Sequence, residues 1–219
     1  MNEERIYLDN AATTSLSVEV LNAMMPVLQT NYGNSSSIHQ FGRNSASLVD
    51  ESRDLIAETI GAKSNEIYFT SSGSEANSWA IVGLAMANRH KGNHIITSSI
   101  EHPSVLEACK YLEENGFSVT YLGVDNHGFV NFAEFIRSLK PTTILVSIMS
   151  ANNEIGTIQN LKALSQTAHE KGAIFHTDAV QLYGHMELDV QEIGIDAMTI
   201  SAHKIYGPKG VGALYISNK

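Results

Sequence analysis

The chain has 219 residues, 43% hydrophobic and 17% charged, which is enough for one large domain with a well-buried core. Its formal charge of -9 argues against nucleic acid or an anionic membrane as principal partner, because neither attracts an acidic protein. The single cysteine, Cys109, excludes an intramolecular disulfide and a cysteine-only metal cluster and fits a reducing compartment. The opening M-N-E-E-R-I-Y-L-D has no charged-then-apolar leader pattern, and no apolar run approaches membrane-spanning length, so a soluble cytoplasmic protein is expected.

In chain order, an extended segment at 6–8 and an Asp-Asn turn precede Val18, Leu21, Met24, Met25 and Leu28, which recur at helical spacing behind Ser17 as N-cap. Pro26 is expected to kink or shorten that helix. Residues 30–39, T-N-Y-G-N-S-S-S-I-H, read as a surface loop. A second helix follows, with Leu48, Val49, Leu55, Ile56 and Ile60 on one face and Gly61 as its stop. From residue 67 the rhythm changes. Short β-rich runs at 67–70, 94–97, 117–122, 144–149 and 174–177 alternate with helical stretches at 75–89, 103–115, 131–139 and 161–171. That alternation predicts crossover units in a parallel sheet. Pro103 opens one of these helices and Asn115-Gly116 closes it. Two further runs, 195–200 and 211–216, are joined by about ten residues, too few for a crossover helix, so as neighbours they must pair antiparallel. The expected fold is α/β, a mixed, mostly parallel sheet of about seven strands with helices on both faces.

Ligands of open α/β sheets bind beyond the carboxyl ends of the strands, and five loops of suggestive composition fall there. In T-S-S-G-S-E-A-N-S, residues 70–78, Gly73 and Ser74 would bring backbone N–H groups and a hydroxyl to a helix N-terminus, which suits a phosphate. It is not a Walker loop, and an ordinary strand-to-helix turn has the same composition. In S-I-E-H-P-S-V, residues 99–105, His102 can cap the helix that Pro103 opens, or stack on a flat ligand and move a proton. No metal site is expected, since no second ligand lies at helical spacing from it. In S-A-N-N-E-I-G-T, residues 150–157, Asn152, Asn153 and Glu154 cluster after a strand, a pattern that local turn formation also produces. Asp178, in F-H-T-D-A-V-Q, ends a buried strand and therefore needs a cationic partner or several donors. Lys204, in S-A-H-K-I-Y-G-P-K-G, follows a strand and precedes a Gly-Pro turn, a fixed placement suited to Schiff-base chemistry; read alone, it is a surface lysine.

A phosphate turn, a stackable histidine, a carboxylate at a strand end and a lysine after a late strand together match the needs of pyridoxal 5'-phosphate. The residues also carry a resemblance. Y-L-D-N-A-A-T-T, G-N-S-S-S-I-H, T-S-S-G-S-E-A-N, E-H-P-S-V, A-N-N-E-I-G and S-A-H-K-I-Y-G-P-K-G resemble the cysteine desulfurase family of class V, fold-type I pyridoxal phosphate enzymes, from about residue 6 to 216. The resemblance implies sulfur abstraction from L-cysteine, giving L-alanine and an enzyme persulfide for iron-sulfur cluster or thio-cofactor assembly. It also implies a homodimer and acceptor or scaffold partners.

By the same resemblance Lys204 would be the Schiff-base lysine, Asp178 the partner of the pyridinium nitrogen, and His102 the stacking, proton-moving residue. Gln181 would bond the phenolic oxygen, with Asn153 near that oxygen and the substrate carboxylate. Gly73, Ser74, Ser201 and His203 would hold the phosphate, Ser74 being a mild departure from the family's Thr. Family members are roughly twice as long, and their C-terminal small domain carries the nucleophilic cysteine and a carboxylate-binding arginine. Cys109, two turns into a predicted helix, reads as a structural cysteine and not as that nucleophile. Residues 1–219 are thus expected to form the cofactor-binding large domain, with 1–30 a segment that packs on the small domain. Residues 1–219 taken alone are expected to give no catalytic alanine. A selenocysteine lyase, an aminotransferase and a non-catalytic dimerisation module share the cofactor residues and stay open.

Overall fold

A computed structural model describes residues 5–218; residues 1–4, where the expectation about a leader begins, and Lys219 lie outside the described residues. The seven strand-like runs become seven strands of one sheet: β1 (Ile67–Thr70), β2 (His94–Ser98), β3 (Ser118–Leu122), β4 (Thr143–Ser147), β5 (Ile174–Asp178), β6 (Ala197–Ser201) and β7 (Gly212–Ile216). Their order is β1-β7-β6-β5-β4-β2-β3. The pairs from β3 through β6 are parallel. β7 runs antiparallel to both β6 and β1, so it alone is reversed and β1 again points with the rest. The carboxyl ends of six strands therefore share one edge.

Helices α3 (Gly73–Asn88), α4 (Pro103–Glu114), α5 (Phe132–Ser138) and α6 (Leu161–His169) fill the crossovers between β1 and β5. Side chains alternate across a strand, so neighbours enter opposite cores. Ile95, Leu145 and Leu214 face α3 and α4 with Ile81, Val105 and Leu112. Ile96, Val146 and Tyr215 face the other way, toward Ile60, Phe135 and Leu164. Every residue of β2, β4 and β6 is consequently buried, as expected for strands covered on both faces. Two buried histidines cross-link the sheet. His94 bridges Thr143 and Thr120 at 2.7 and 2.8 Å, and His176 bridges Ser147 and Thr199 at 2.8 and 3.2 Å. Among the described residues no helix is long and apolar enough to cross a membrane.

Before the sheet, α1 (Val18–Gln29) starts at its Ser17 cap and α2 (Gln40–Thr59) ends at Gly61, whose φ of 67° is left-handed. Pro26 does not shorten α1, which continues to Gln29. No residue of α1 is buried, so water can satisfy the Asn22 carbonyl that the missing proline N–H leaves open. Between β5 and β6 a single helical turn, α7 (Val190–Ile193), lies between an Asp189 cap and left-handed Gly194.

Candidate functional site

The carboxyl edge of the sheet holds a cleft of about 460 Å³. The nine residues singled out above, Gly73, Ser74, His102, Asn153, Asp178, Gln181, Ser201, His203 and Lys204, all border it. Asp178 and Ser201 end β5 and β6, and the others lie just beyond the ends of β1, β2, β4, β5 or β6, so the parallel alignment of those strands brings them together.

At one end, α3 opens behind Ser72, whose hydroxyl accepts the Glu75 N–H at 3.1 Å and whose carbonyl accepts that of Ala76. The Gly73 and Ser74 N–H groups have no intrahelical acceptor and sit at the positive end of the helix. A side chain at Gly73 would bring Cβ to 2.9 Å from Val180 Cγ2 and 3.3 Å from Ser201 Cβ, so only glycine lets the helix start lie this close to the strand ends. Ser201 Oγ is buried and has no hydrogen-bond partner among the described residues. His203 follows it; burial, then the charges of Lys204 and Lys209, hold its imidazole below the ordinary value, so it offers hydrogen bonds in preference to charge.

On the floor, Asp178 is 5% exposed. Its Oδ2 accepts from Asn77 Nδ2 at 2.7 Å and its Oδ1 from the Val180 N–H at 3.0 Å. Burial pushes its pKa up, against the two donors and the charges of His102 and Lys204. It thus has the several donors that its position demanded.

His102 both caps α4 and borders the cleft. Its Nδ1 accepts from the Ser104 N–H at 3.2 Å and pairs with Ser104 Oγ at 2.8 Å. Asn152 does local turn work, its Oδ1 accepting from the Glu154 and Ile155 N–H groups, while Asn153 reaches the Glu154 carboxylate at 2.9 Å. The two amides therefore divide the turn-forming and cleft-lining readings between them.

Lys204 Nζ donates to the carbonyls of Ala11 and, at 2.8 Å, Ala12; Gln181 Nε2 also donates to Ala11, at 3.0 Å. Burial lowers the Lys204 pKa, opposed first by Asp178. The N-terminal segment is stitched to the lysine loop. Thr14 bonds the His203 carbonyl through both its N–H and its hydroxyl, Tyr206 N–H reaches Thr14 Oγ1 at 2.8 Å, and Ser17 N–H reaches the Tyr206 carbonyl at 3.0 Å.

Sequence reasoning missed Asn77, which is 1% exposed and ties Asp178 to Ser104 Oγ at 3.0 Å. Its position four residues after Gly73, one helical turn along, was the available signal. The carbonyls of Ala11 and Ala12 were missed as well, since backbone groups have no side-chain signature. Cys109 lies fully buried in α4, its thiol pushed up to about 12 chiefly by burial, as suits a structural cysteine.

Known proteins resemble this chain over nearly its whole length. The family described as Aminotransferase class-V matches residues 6–219. A cysteine desulfurase IscS from Dictyoglomus turgidum is 55% identical over 214 residues, spanning 98% of this chain and 54% of its own length. One from Clostridium botulinum strain Hall is 50% identical over 218 residues, spanning 100% of this chain and 55% of its own. Of solved structures, "NIFS-LIKE PROTEIN" superposes with a TM-score of 0.95 at 38% identity, over 98% of this chain and 60% of that one. "SspA in complex with cysteine" gives 0.93 at 40% identity, over 97% and 61%. The chain spans about half the length of the curated relatives it matches, and it belongs to the class-V aminotransferase family.

Proposed function

We propose that the cleft holds pyridoxal phosphate and that the protein works as a cysteine desulfurase, taking sulfur from L-cysteine, leaving L-alanine, and passing the sulfur through a protein thiol to an acceptor or scaffold. The observation that carries this reading is that one cleft holds the Lys204 amine, the buried Asp178 carboxylate and the open N-terminus of α3. The names of the relatives supply the substrate. The residues fit the cofactor. The unpartnered Ser201 Oγ and the bare floor at Gly73 suit a phosphate, and a doubly hydrogen-bonded carboxylate suits a protonated ring nitrogen.

When bound, pyridoxal phosphate supplies a carbonyl that condenses with amines and a cationic ring that draws electrons from the substrate carbon. Gly73, Ser74, Ser201 and His203 hold the phosphate. Asp178, fixed by Asn77 and Val180, keeps the proton on the ring nitrogen. His102, which lines the cleft with Nδ1 committed to Ser104, would lie against the ring and leave Nε2 to take or give a proton. Ala11 and Ala12 aim the Lys204 amine, and burial eases loss of its proton at working pH. Gln181 and Asn153 serve the phenolic oxygen and the substrate carboxylate.

The same reading makes residues 1–219 a cofactor-binding domain within a cytoplasmic homodimer. The exposed apolar residues of α1, Leu21, Met25 and Leu28, favour packing of residues 1–30 on a further domain. Loaded protein is expected to exchange the Cα proton of L-alanine and L-cysteine for solvent deuterium, and Lys204→Ala to abolish that exchange. Equal exchange in both proteins would overturn the assignment.

A further inference from the structure

The segment that carries His102 is held from behind by a buried acid. Glu101 is 5% exposed, and one of its oxygens, Oε1, accepts both the Ser98 hydroxyl at 2.6 Å and the Met149 N–H at 2.8 Å. Asn152 Nδ2 adds a bond to the Ile100 carbonyl at 3.0 Å, and Ser99 N–H one to Leu122 at 2.9 Å. The loop between β2 and α4 is thereby tied to the exits of β3 and β4.

The other oxygen of Glu101, Oε2, is buried and has no partner among the described residues. An ionised carboxylate with a bare buried oxygen is strongly disfavoured unless a cation faces it. The titratable groups that face Glu101 are Asp178 from β5 and Cys109 from α4, and neither supplies positive charge. Burial accordingly pushes its pKa up to about 8.

We propose that Glu101 is a positioning residue for the cleft, an uncharged carboxyl that joins the ends of β2 and β4 and so sets His102 and Met149 against the cofactor. The proposal rests on the pyridoxal phosphate reading of the cleft. It separates the roles of two buried acids: Asp178, with a donor on each oxygen, serves the ring nitrogen, and Glu101, with both its donors on one oxygen, carries geometry.

The test compares Glu101→Gln with Glu101→Ala, with pyridoxal phosphate as probe, at a temperature where all proteins are folded. Glutamine accepts the same two bonds without charge, so Glu101→Gln is expected to match wild type in cofactor affinity and in the pH profile of the bound absorbance. Glu101→Ala is expected to bind about tenfold more weakly and to lose hydrogen-exchange protection at the Met149 amide. Equal weakening in both variants would assign the effect to charge and overturn the proposal. Wild-type affinity in Glu101→Ala, with the Met149 amide unprotected, would show that the position is dispensable and also overturn it. Should Glu101→Ala not fold, carboxyl-carbon NMR of wild type decides: the acid form at neutral pH is expected, and a carboxylate signal there refutes the idea. If wild type itself binds no pyridoxal phosphate, the cofactor reading fails, while the carboxyl signal and Met149 protection in the cofactor-free protein still decide on Glu101.

Discussion

Removing the Asn77 side chain tests whether Asp178 is held as an anion by neutral donors. Asn77→Ala deletes one hydrogen bond to a carboxylate and one to the Ser104 hydroxyl. Bonds to charged groups contribute about 1.5–3 kcal/mol net and neutral ones about 1 kcal/mol, so the loss at neutral pH is expected to be about 2.5–4 kcal/mol. The loss is also pH-dependent. Burial raises the folded pKa of Asp178 while the Asn77 bond lowers it, so this bond favours the ionised form. Its contribution is fully present above the folded pKa and fades as acidification protonates the carboxyl in both proteins. Urea unfolding of wild type and Asn77→Ala at neutral and acidic pH measures both effects, and Ser104→Ala, which removes the bonds to Asn77 and to His102 Nδ1, should keep the bond to Asp178. A loss below about 1 kcal/mol at neutral pH, or one unchanged by acid, would refute the reasoning.

Gly73→Ala would place a methyl 2.9 Å from Val180 Cγ2, so cofactor affinity should fall while the fold loses only about 1–2 kcal/mol, crowding being partly offset by alanine's helix preference; unaltered affinity would show that the helix start can retreat. His176 and His94, whose pKa values burial lowers to about 3 and about 4, must be neutral in the fold and leave stability unaffected above the unfolded value near 6.5. As pH falls below that, each should remove up to about 1.4 kcal/mol per pH unit until its folded value is reached, and urea midpoints that stay level on moderate acidification would contradict the account. Asp178→Asn keeps size and removes charge, so exchange of the substrate Cα proton should slow by orders of magnitude; an unchanged rate would count against its role at the ring nitrogen.

The strands and the lysine loop were legible because each carries a local signal: buried β-rich runs of four to six residues, a Gly-Pro turn, and a ten-residue link that forced β6 and β7 antiparallel. Strand order was not. β1 and β2 are consecutive in the chain yet separated in the sheet by β7, β6, β5 and β4, and nothing in a crossover helix states how far it carries the chain. The single turn of α7 is too short to show periodicity, although Asp189 and Gly194 bracketed it. Pro26 does not shorten α1, whose freed carbonyl lies open to water because no residue of that helix is buried. At the site, side chains with distinctive chemistry were found and their supports were not. Asn77, within a predicted helix, and Glu101, within a loop, carry no mark of their role until the fold places them behind Asp178 and His102.

The central claim is that Lys204 is the amine that bonds the cofactor. Borohydride reduction of the protein loaded with pyridoxal phosphate, followed by proteolysis and peptide mapping, tests it most directly. The account predicts one reduced adduct, on Lys204 in the peptide S-A-H-K-I-Y-G, absent from Lys204→Ala. An adduct on another lysine, or an undiminished adduct in that variant, would contradict it.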